Sequence, residues 1–330
     1  MYGDVHYGAF SLSSKPYTRR RLFDAARGAL RENVPLRDYT SFHVGGPAAL
    51  FVEVADTDTL AELLAAAHGE DVRVLILGGG TNLLIDDRGF DGLAIHLALN
   101  DFELDSTTGR VRVGAGVRTA LMVERTVDEA LGGTAFAAGL PGSVGGGLAG
   151  NAGCFGKCLG DLLTDAIVVS REGEIAQISG ADWFEFRYRH SKLIETGAVL
   201  TEAIFKLPQG ALDPLKQEAD ANIALRREKH PLPGAYTAGS FFKNLPPPSS
   251  GARRTAAGLL LDQVGAREMS VGDAAVFERH ANIVINRGAA SSADILSLTD
   301  AMRARVQDRF DVRLDPEVRY ISPTGYTARP

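Results

Sequence analysis

A run of three glycines followed by two polar residues could bind an anion. Gly78, Gly79, Gly80, Thr81 and Asn82 follow a largely apolar segment. Without side chains, successive backbone N–H groups can converge on a phosphate, and Thr81 and Asn82 add polar side chains. The spacing is neither the G-x-G-x-x-G dinucleotide fingerprint nor a P-loop, which needs a Lys-Ser/Thr pair. Taken alone, the run is as typical of a tight structural turn as of a phosphate site.

A second glycine-rich segment begins at Gly139. Its candidate ligand contacts are Pro141, Gly142, Ser143, Gly145, Gly146 and Asn151. Proline stiffens such a segment, and glycines let the backbone approach a flat or anionic ligand closely. Two such loops favour one extended ligand, such as FAD, over a purely structural role. We expect Gly79 and Gly145 to require glycine because of positive φ and close approach.

Arg189 lies in the tetrapeptide Tyr188-Arg189-His190-Ser191. A surface salt bridge is the usual role of an arginine. The alternative is a guanidinium that binds a substrate carboxylate or stabilises a developing enolate. The sequence around Arg189 leaves both roles open.

Ser240 belongs to the hexapeptide Gly239-Ser240-Phe241-Phe242-Lys243-Asn244. If the hexapeptide is a strand, its two adjacent phenylalanine rings lie on opposite faces. A single serine is nearly always structural. No G-x-S-x-G elbow surrounds this one, which disfavours an acyl-transfer nucleophile.

Glu317 follows Pro316 at the start of residues 317–321, which we predict to be the last strand. The alternation of a strand places Glu317 and Arg319 on one face. A surface ion pair of little energetic value would explain that arrangement. A catalytic role for Glu317 therefore needs further support.

Composition and charge restrict the class of protein. The chain has 330 residues, 45% of them hydrophobic and 23% charged, which are ordinary values for a globular protein of two or three domains. A formal net charge of -6 disfavours nucleic acid as a partner. Two cysteines, Cys154 and Cys158, suggest a reducing compartment, buried or pocket-lining thiols and no bound metal. Because no signal segment or membrane-spanning run is found, we expect a cytoplasmic protein without a membrane partner.

Periodicity predicts the elements of the first part of the chain. Within a weakly patterned extension we expect one helix at residues 22–30. A strand at 48–54 precedes a helix whose caps residues 56–59 should supply, with Thr59 and Glu62 at capping-box spacing. The apolar strand 72–77 should be covered on both faces. Further strands are predicted at residues 93–96, 102–104, 110–114, 166–170, 174–178 and 198–206, with a helix at 118–130 and a long glycine-rich loop at 132–156.

A composition change at residues 207–210 indicates a domain boundary. After it we predict a polar helix at 213–229, a proline-containing loop at 231–233 and a helix from about residue 255. The last long helix should start at Ser291 with Asp294 as its cap partner. The predicted organisation is an extension over residues 1–39, one domain over 40–206 and another over 207–330, in an α+β fold.

The motifs together resemble a known flavoprotein family. Leu77-Gly78-Gly79-Gly80-Thr81-Asn82-Leu83-Leu84-Ile85 and Pro141-Gly142-Ser143-Val144-Gly145-Gly146 resemble the FAD-binding domain of the vanillyl-alcohol-oxidase type, also called PCMH-type. Within that superfamily, residues 40–321 are similar to the UDP-N-acetylenolpyruvoylglucosamine reductase family. The resemblance implies an FAD-binding domain of two α/β lobes over 40–206 and an α+β substrate domain over 207–330.

The same resemblance implies the reaction and its residues. The family reduces UDP-N-acetylglucosamine enolpyruvate, a small-molecule substrate, with non-covalent FAD and with NADPH as hydride donor. Arg189 and Glu317 would stabilise the enolic species, and Ser240 would protonate carbon. Tyr188, Lys243 and Asn244 would bind substrate, while both glycine loops would contact FAD. We expect a monomer or a weak oligomer.

Some positions depart from the family pattern, and two rival functions stay open. Thr81 replaces a commoner serine, Leu193 a frequent aromatic residue and Leu245 a usual proline. The short stretch before Gly239 resembles the subtype that lacks a tyrosine-bearing capping loop. An FAD-dependent oxidase with flavin tethered through a residue such as Cys154 is one rival. A catalytically silent flavin- or nucleotide-binding module is the other.

Overall fold

The computed structural model describes residues 16–232, 234–249 and 252–327. They form two compact units whose segments alternate along the chain. The first unit comprises the residues up to Asn33, Ala49–Gly79 and Asp91–Leu225; the second comprises Val34–Ala48, Gly80–Phe90 and the residues from Arg226 onwards. Residues 1–15 of the predicted extension and Pro233 of the predicted loop lie outside the described residues. The predicted boundaries after residues 39 and 206 stay a prediction.

Eighteen strands and eight α-helices are assigned within the described residues. The first ten elements are α1 (Pro16–Ala25), β1 (Arg31–Pro35), β2 (Pro47–Val54), α2 (Thr57–Gly69), β3 (Val74–Leu77), β4 (Leu83–Ile85), β5 (Phe90–Leu97), β6 (Phe102–Asp105), β7 (Arg110–Gly114) and α3 (Thr119–Asp128). The next eight are α4 (Val144–Ala149), β8 (Gly153–Cys154), β9 (Lys157–Cys158), β10 (Leu163–Val169), β11 (Ile175–Ser179), α5 (Lys192–Thr196), β12 (Val199–Lys206) and α6 (Leu212–Lys229). The last eight are β13 (Tyr236–Ser240), α7 (Ala257–Gln263), β14 (Ser270–Val271), β15 (Ala274–Phe277), β16 (His280–Asn286), α8 (Ser292–Phe310), β17 (Arg319–Ser322) and β18 (Gly325–Tyr326).

The first unit is built on two sheets that share one apolar core. A four-stranded sheet has the order β1-β2-β5-β3, with β3 and β5 parallel. A five-stranded antiparallel sheet has the order β11-β10-β12-β7-β6. Helix α2 contributes the stripe expected from its 3.6-residue period, and Leu60, Leu63, Leu64 and Ala67 are all buried in the core. The predicted inward face of this helix is confirmed.

The predicted bounds of two elements in the first unit are wrong. Helix α1 ends at Ala25, before the left-handed residues Arg27 and Gly28, so it does not extend to residue 30. Strand β3 starts at Val74 rather than at residue 72, but both of its faces are covered, because Leu75 and Leu77 are buried and the half-buried Val74 and Ile76 pack against the core.

The predicted cap of α2 lies within residues 56–59. Asp56 is the N-cap, because its carboxylate accepts the Thr59 N–H at 2.8 Å.

The predicted loop over residues 132–156 also contains regular structure. Helix α4 occupies its middle, and the short hairpin of β8 and β9 closes its end. Glycine lowers helix propensity, so a helix could not be predicted there from the residue types. The N-terminal cap of α4 compensates, because Ser143 Oγ accepts the Gly146 N–H at 3.2 Å.

The second unit has its own sheets and its own core. Strands β13-β16-β15-β14 form an antiparallel sheet, and β18-β17-β4 form a three-stranded sheet in which β4 and β17 are parallel. Helix α8 begins with the predicted capping box of Ser291 and Asp294. Its apolar stripe fills the core with Ile295, Leu298, Met302 and Val306.

Two predicted features of the second unit are wrong. Strand β17 starts at Arg319, so Glu317 lies before the strand. The Glu317 N–H donates to the Phe241 carbonyl at 2.7 Å. Strand β13 ends at Ser240, so Phe241 and Phe242 are not on opposite faces of a strand. Both rings are buried in the same core with their centroids 5.2 Å apart.

In the described part of the chain, every helix is too short or too polar to span a bilayer.

A half-buried histidine pair is expected to make stability depend on pH. The ring centroids of His230 and His280 are 5.6 Å apart. Burial, and then the neighbouring His280, lowers the pKa of His230 from its usual 6.5 to about 4. Burial also lowers the pKa of His280. Between pH 6.5 and 4 the unfolded chain therefore binds more protons at His230 than the folded chain does.

The free energy of unfolding should accordingly fall as the pH is lowered through that window. Because solvent reaches part of the His230 ring, we expect a loss on the order of 1 kcal/mol. Urea unfolding at a series of pH values measures it. Carboxylates titrate in the same range, so the control is His230→Asn, which should lose less stability between pH 6.5 and 4. Equal losses in both proteins would contradict the assignment.

Candidate active site

Two glycine loops are in direct contact within the first unit. A Cβ atom added to Gly78 would lie 2.5 Å from Ser143 Oγ. One added to Gly79 would lie 2.8 Å from the Cα atom of Gly142. Neither position has room for a side chain, so the backbones of the two predicted ligand loops lie against each other. The structure thus brings together the two segments that we expected to contact one extended ligand.

The expected positive φ is wrong for Gly79 and Gly145. A left-handed φ occurs instead at Gly80, Gly139 and Gly142. At Gly145 the constraint is a close approach, because an added Cβ would lie 2.7 Å from the Cβ atom of Ala115. The requirement for glycine at Gly79 and Gly145 is therefore steric crowding by a neighbouring segment.

Predicted cofactor contacts differ in how accessible they are. Pro141, Gly79 and Gly146 are exposed, so solvent or a ligand reaches them. Ser143 is buried, and its hydroxyl caps α4. The other three residues of the first loop belong to the second unit, where the Ser41 N–H donates to the Gly80 carbonyl at 3.1 Å.

Arg189 lies in a tight turn of the first unit. Arg187 and His190 close the turn with two reciprocal backbone hydrogen bonds of 3.2 Å, and Tyr188 and Arg189 are its two central residues. Arg189 has a φ of 54°. Its guanidinium lies 5.3 Å from the centroid of the Tyr188 ring, within cation–π range. The two residues are thus presented together on one turn.

The two cysteines lie on the β8–β9 hairpin as half-buried thiols outside any disulfide, and the Cys154 thiol donates to the Phe136 carbonyl at 2.9 Å. Burial, followed by the charge of Asp161, raises the pKa of the Cys158 thiol, while the charge of Arg189 opposes that rise. Cys158 is therefore close enough to Arg189 to feel its charge. A raised pKa keeps this thiol protonated and unreactive at neutral pH.

The second unit brings the segments of Ser240 and Glu317 side by side. Ser240 is the last residue of β13, and it follows Gly239, whose φ is 73°. The carbonyl of Phe241 accepts the N–H of Glu317 at 2.7 Å, and the N–H of Lys243 donates to the Asp315 carbonyl at 2.8 Å. Ser240 and Glu317 are both half-buried. Neighbouring backbone segments therefore carry the predicted proton donor and the predicted acid.

Two of the predicted ligand contacts hold the protein's own backbone. The Asn82 side chain donates to the Glu317 carbonyl at 3.0 Å, and the Asn82 carbonyl accepts the Arg319 N–H at 3.0 Å. Asn244 Oδ1 accepts the N–H of Ala257, at the start of α7, at 3.2 Å. The first link fixes the backbone of Glu317 to the end of the first glycine loop.

Sequence reasoning missed a buried asparagine that supports the segment after Ser240. Asn282 is 2% exposed on β16. Its side-chain oxygen accepts the Phe242 N–H at 2.9 Å, and its amide donates to the Phe242 carbonyl at 2.8 Å. The available signal was an asparagine between apolar residues. The amide of a buried asparagine must find hydrogen-bond partners.

A charged cluster of Asp86, Arg88 and Tyr320 was missed as well. The Arg88 guanidinium holds the pKa of the buried Asp86 carboxyl well below its usual range, with help from the Tyr320 hydroxyl, which donates to Asp86. Asp86 follows β4, and Tyr320 lies on the paired strand β17. The cluster therefore ties together the two strands that follow Asn82 and Glu317.

The loops of the first unit suit a dinucleotide cofactor. Gly79 in the first loop and Gly146 in the second are exposed, so a ligand can approach the backbone there without interference from side chains. Glycine-rich loops of this kind bind phosphate oxygens through backbone N–H groups. The exposed glycines of the two loops therefore fit the phosphates of FAD.

Two family models match the chain. Residues 48–179 match an FAD binding domain. Residues 230–321 match the C-terminal domain of UDP-N-acetylenolpyruvoylglucosamine reductase.

Individual proteins match over nearly the whole chain. The UDP-N-acetylenolpyruvoylglucosamine reductase of Geobacter metallireducens is 38% identical, over 91% of this chain and 97% of its own. The reductase of the same name from Heliobacterium modesticaldum is 36% identical, over 91% of this chain and 93% of its own. The crystal structure of UDP-N-acetylenolpyruvylglucosamine reductase from Thermus caldophilus superposes with a TM-score of 0.73 at 30% identity, covering 88% of this chain and 99% of that one.

Proposed function

Because this chain belongs to the UDP-N-acetylenolpyruvoylglucosamine reductase family, we propose that it reduces UDP-N-acetylglucosamine enolpyruvate to UDP-N-acetylmuramate with NADPH, in peptidoglycan precursor synthesis. The observation that carries this proposal is 36% and 38% identity to two reductases over 91% of the chain. The predicted family, the α+β class and the PCMH-type FAD-binding domain are confirmed by the family models and the related structure.

The chain is an FAD-dependent oxidoreductase with NADPH as its hydride donor. When bound, FAD would supply the hydride chemistry that links NADPH to the terminal vinyl carbon of the enolpyruvyl group. The two contacting glycine loops support binding of its phosphates. We propose that the cofactor is held without a covalent bond.

Arg189 and Glu317 stabilise the negative charge that the hydride creates. When the hydride reaches the terminal vinyl carbon, negative charge develops on the neighbouring carbon and on the attached carboxylate. The Arg189 guanidinium stabilises that charge through charge-assisted hydrogen bonds. A protonated Glu317 carboxyl donates a further hydrogen bond. The presentation of Arg189 on a tight turn and the anchored backbone of Glu317 support these roles.

Ser240 delivers the proton that completes the reduction. A serine hydroxyl is a weak acid in water, so it needs cationic or hydrogen-bond assistance in a dry site. Lys243 supplies that assistance, and Tyr188, Lys243 and Asn244 bind the substrate. The link between the Phe241 carbonyl and the Glu317 N–H supports a common function for these segments.

Further properties complete the proposal. The protein acts in the cytoplasm as a monomer or weak oligomer, and it has no nucleic-acid or membrane partner. The family-type domains extend over residues 40–206 and 207–330. The net charge of -6 and the domain matches at residues 48–179 and 230–321 support these assignments.

The purified protein is expected to be yellow, with the visible spectrum of an oxidised flavin. Anaerobic NADPH should bleach it, and the enolpyruvyl substrate should then restore the colour. NADH should be the poorer donor. Colourless protein that FAD cannot reconstitute would contradict the proposed function.

Two further outcomes would favour the rival functions. Acid precipitation should leave the flavin in the supernatant. Flavin that precipitates with the protein would indicate a covalently tethered oxidase instead. Bleaching that the substrate never reverses would indicate a flavin-binding module without reductase activity.

A further inference from the structure

The turn that carries Arg189 needs to be held in place. Tyr188 and Arg189 occupy its two central positions, and Arg189 has a φ of 54°, in the left-handed region that a branched or long side chain adopts at a cost. Within the turn, Arg187 and His190 are joined by two backbone hydrogen bonds of 3.2 Å and by a side-chain hydrogen bond of 2.8 Å. A turn of this kind keeps one conformation when the surrounding structure fixes it.

Asn151 fixes one side of this turn. It is 6% exposed, and its side-chain amide donates to the carbonyl of Arg187 at 3.2 Å. The oxygen of the same side chain accepts the N–H of Gly160 at 3.2 Å. Asn151 has a φ of 43°, which asparagine tolerates better than most residues. Both ends of its amide are therefore bound to the protein's own backbone.

The other side of the turn is fixed to the same segment. Ser191 is fully buried, and its hydroxyl donates to the carbonyl of Ala149 at 2.6 Å. Ala149 is the last residue of α4, two positions before Asn151. The segment that follows the second glycine loop thus holds the turn at Arg187 and at Ser191.

We propose that Asn151 is a positioning residue for Arg189. Its place after the second glycine loop suggested a contact with the cofactor, and the proposed role replaces that one. Asn151 orients the turn, and the turn orients the guanidinium toward the charge that develops on the substrate. This inference rests on the proposed function, because it assigns Asn151 to the step in which Arg189 acts.

The test uses two substitutions that tolerate the left-handed φ. Asn151→Gly removes both side-chain hydrogen bonds, whereas Asn151→Asp keeps an acceptor for Gly160 and loses the donor to Arg187. Both variants should slow reoxidation of the reduced holoenzyme by the enolpyruvyl substrate about 10- to 100-fold, because small displacements of a catalytic group are costly. Flavin reduction by NADPH and the Kd for FAD should change less than about 2-fold.

A matched control removes a hydrogen bond from an asparagine amide to a backbone carbonyl at another site. Asn222→Asp removes an amide that donates to the Ala135 carbonyl at 3.0 Å, and it should leave reoxidation unchanged. A double-mutant cycle with Arg189→Lys then separates positioning from general destabilisation. In the Lys background, Asn151→Gly should slow reoxidation by less than about 3-fold, because the group that it positions is already altered.

Amide hydrogen exchange of the apoprotein gives a readout that is independent of turnover. Asn151→Gly should speed exchange at the His190 N–H, which closes the turn, and Asn222→Asp should not. A rise of 10-fold or more in the Kd for FAD would overturn the proposal and make Asn151 a cofactor contact. Unchanged reoxidation or unchanged exchange would also overturn it. If the wild-type enzyme never oxidises NADPH with this substrate, the proposed function fails, while the exchange comparison still decides whether Asn151 holds the turn.

Discussion

Ser240→Ala is expected to slow reoxidation of the reduced enzyme by the enolpyruvyl substrate about 10²- to 10⁴-fold, the usual contribution of a general acid. Reduction of the same enzyme by NADPH should stay within about 2-fold of wild type, because no proton is delivered to carbon in that step. Ser240 is half-buried at the end of β13, so loss of its hydroxyl should leave folding intact. Stopped-flow absorbance measures the two half-reactions separately.

Two variants control for this effect. Ser240→Cys keeps a proton donor of similar size and should recover part of the lost rate. Ser270→Ala removes a hydroxyl from an exposed position on β14 of the same unit and should change neither half-reaction. If Ser240→Ala slows the reduction by NADPH, Ser240 positions the nicotinamide or the flavin, and its role as proton donor is wrong.

Local periodicity and cap chemistry were sufficient to predict the long elements. Helix α8 shows this best, because its capping box and its apolar stripe are both encoded within one stretch of chain. Helix α4 shows the opposite case, since three of its six residues are glycine. It is stabilised by the Ser143 cap and by contact of Gly145 with Ala115, which is a tertiary contact that periodicity does not report.

In the candidate site, too, some features could be predicted from the sequence and others could not. Motif resemblance selected Arg189, Ser240 and Glu317, but it could not show what holds them. The partners are distant in sequence: Asn82 and Glu317, joined by a 3.0 Å hydrogen bond, are 235 positions apart. Asn82 and Asn151 also had an obvious alternative role, because each follows a glycine loop expected to bind FAD. Only the fold shows that their amides are bound to the backbones of Glu317 and Arg187.

Gly79→Val should weaken FAD binding, since the two glycine loops have no space for a side chain between them. Even the Cβ atom would lie 2.8 Å from the Cα atom of Gly142, and a backbone atom can move away only if the whole loop shifts. Overpacking of this kind costs about 1–3 kcal/mol. If the strain is relieved when the loops separate, affinity for FAD should fall roughly 10- to 100-fold. Titration of the apoprotein with FAD, followed by flavin fluorescence, measures that loss.

The control for this prediction is a substitution that adds a Cβ atom to a glycine with enough space around it. At Gly132 an added Cβ would lie 3.6 Å from its nearest neighbour, which is an ordinary van der Waals contact. Gly132→Ala should therefore bind FAD like wild type, whereas Gly79→Ala should already weaken binding. Urea unfolding of each apoprotein separates lost affinity from lost folding, because the variants at Gly79 should bind less FAD at temperatures where they are still folded. If folded Gly79→Val protein binds FAD as tightly as wild type, the contact between the loops does not shape the cofactor site.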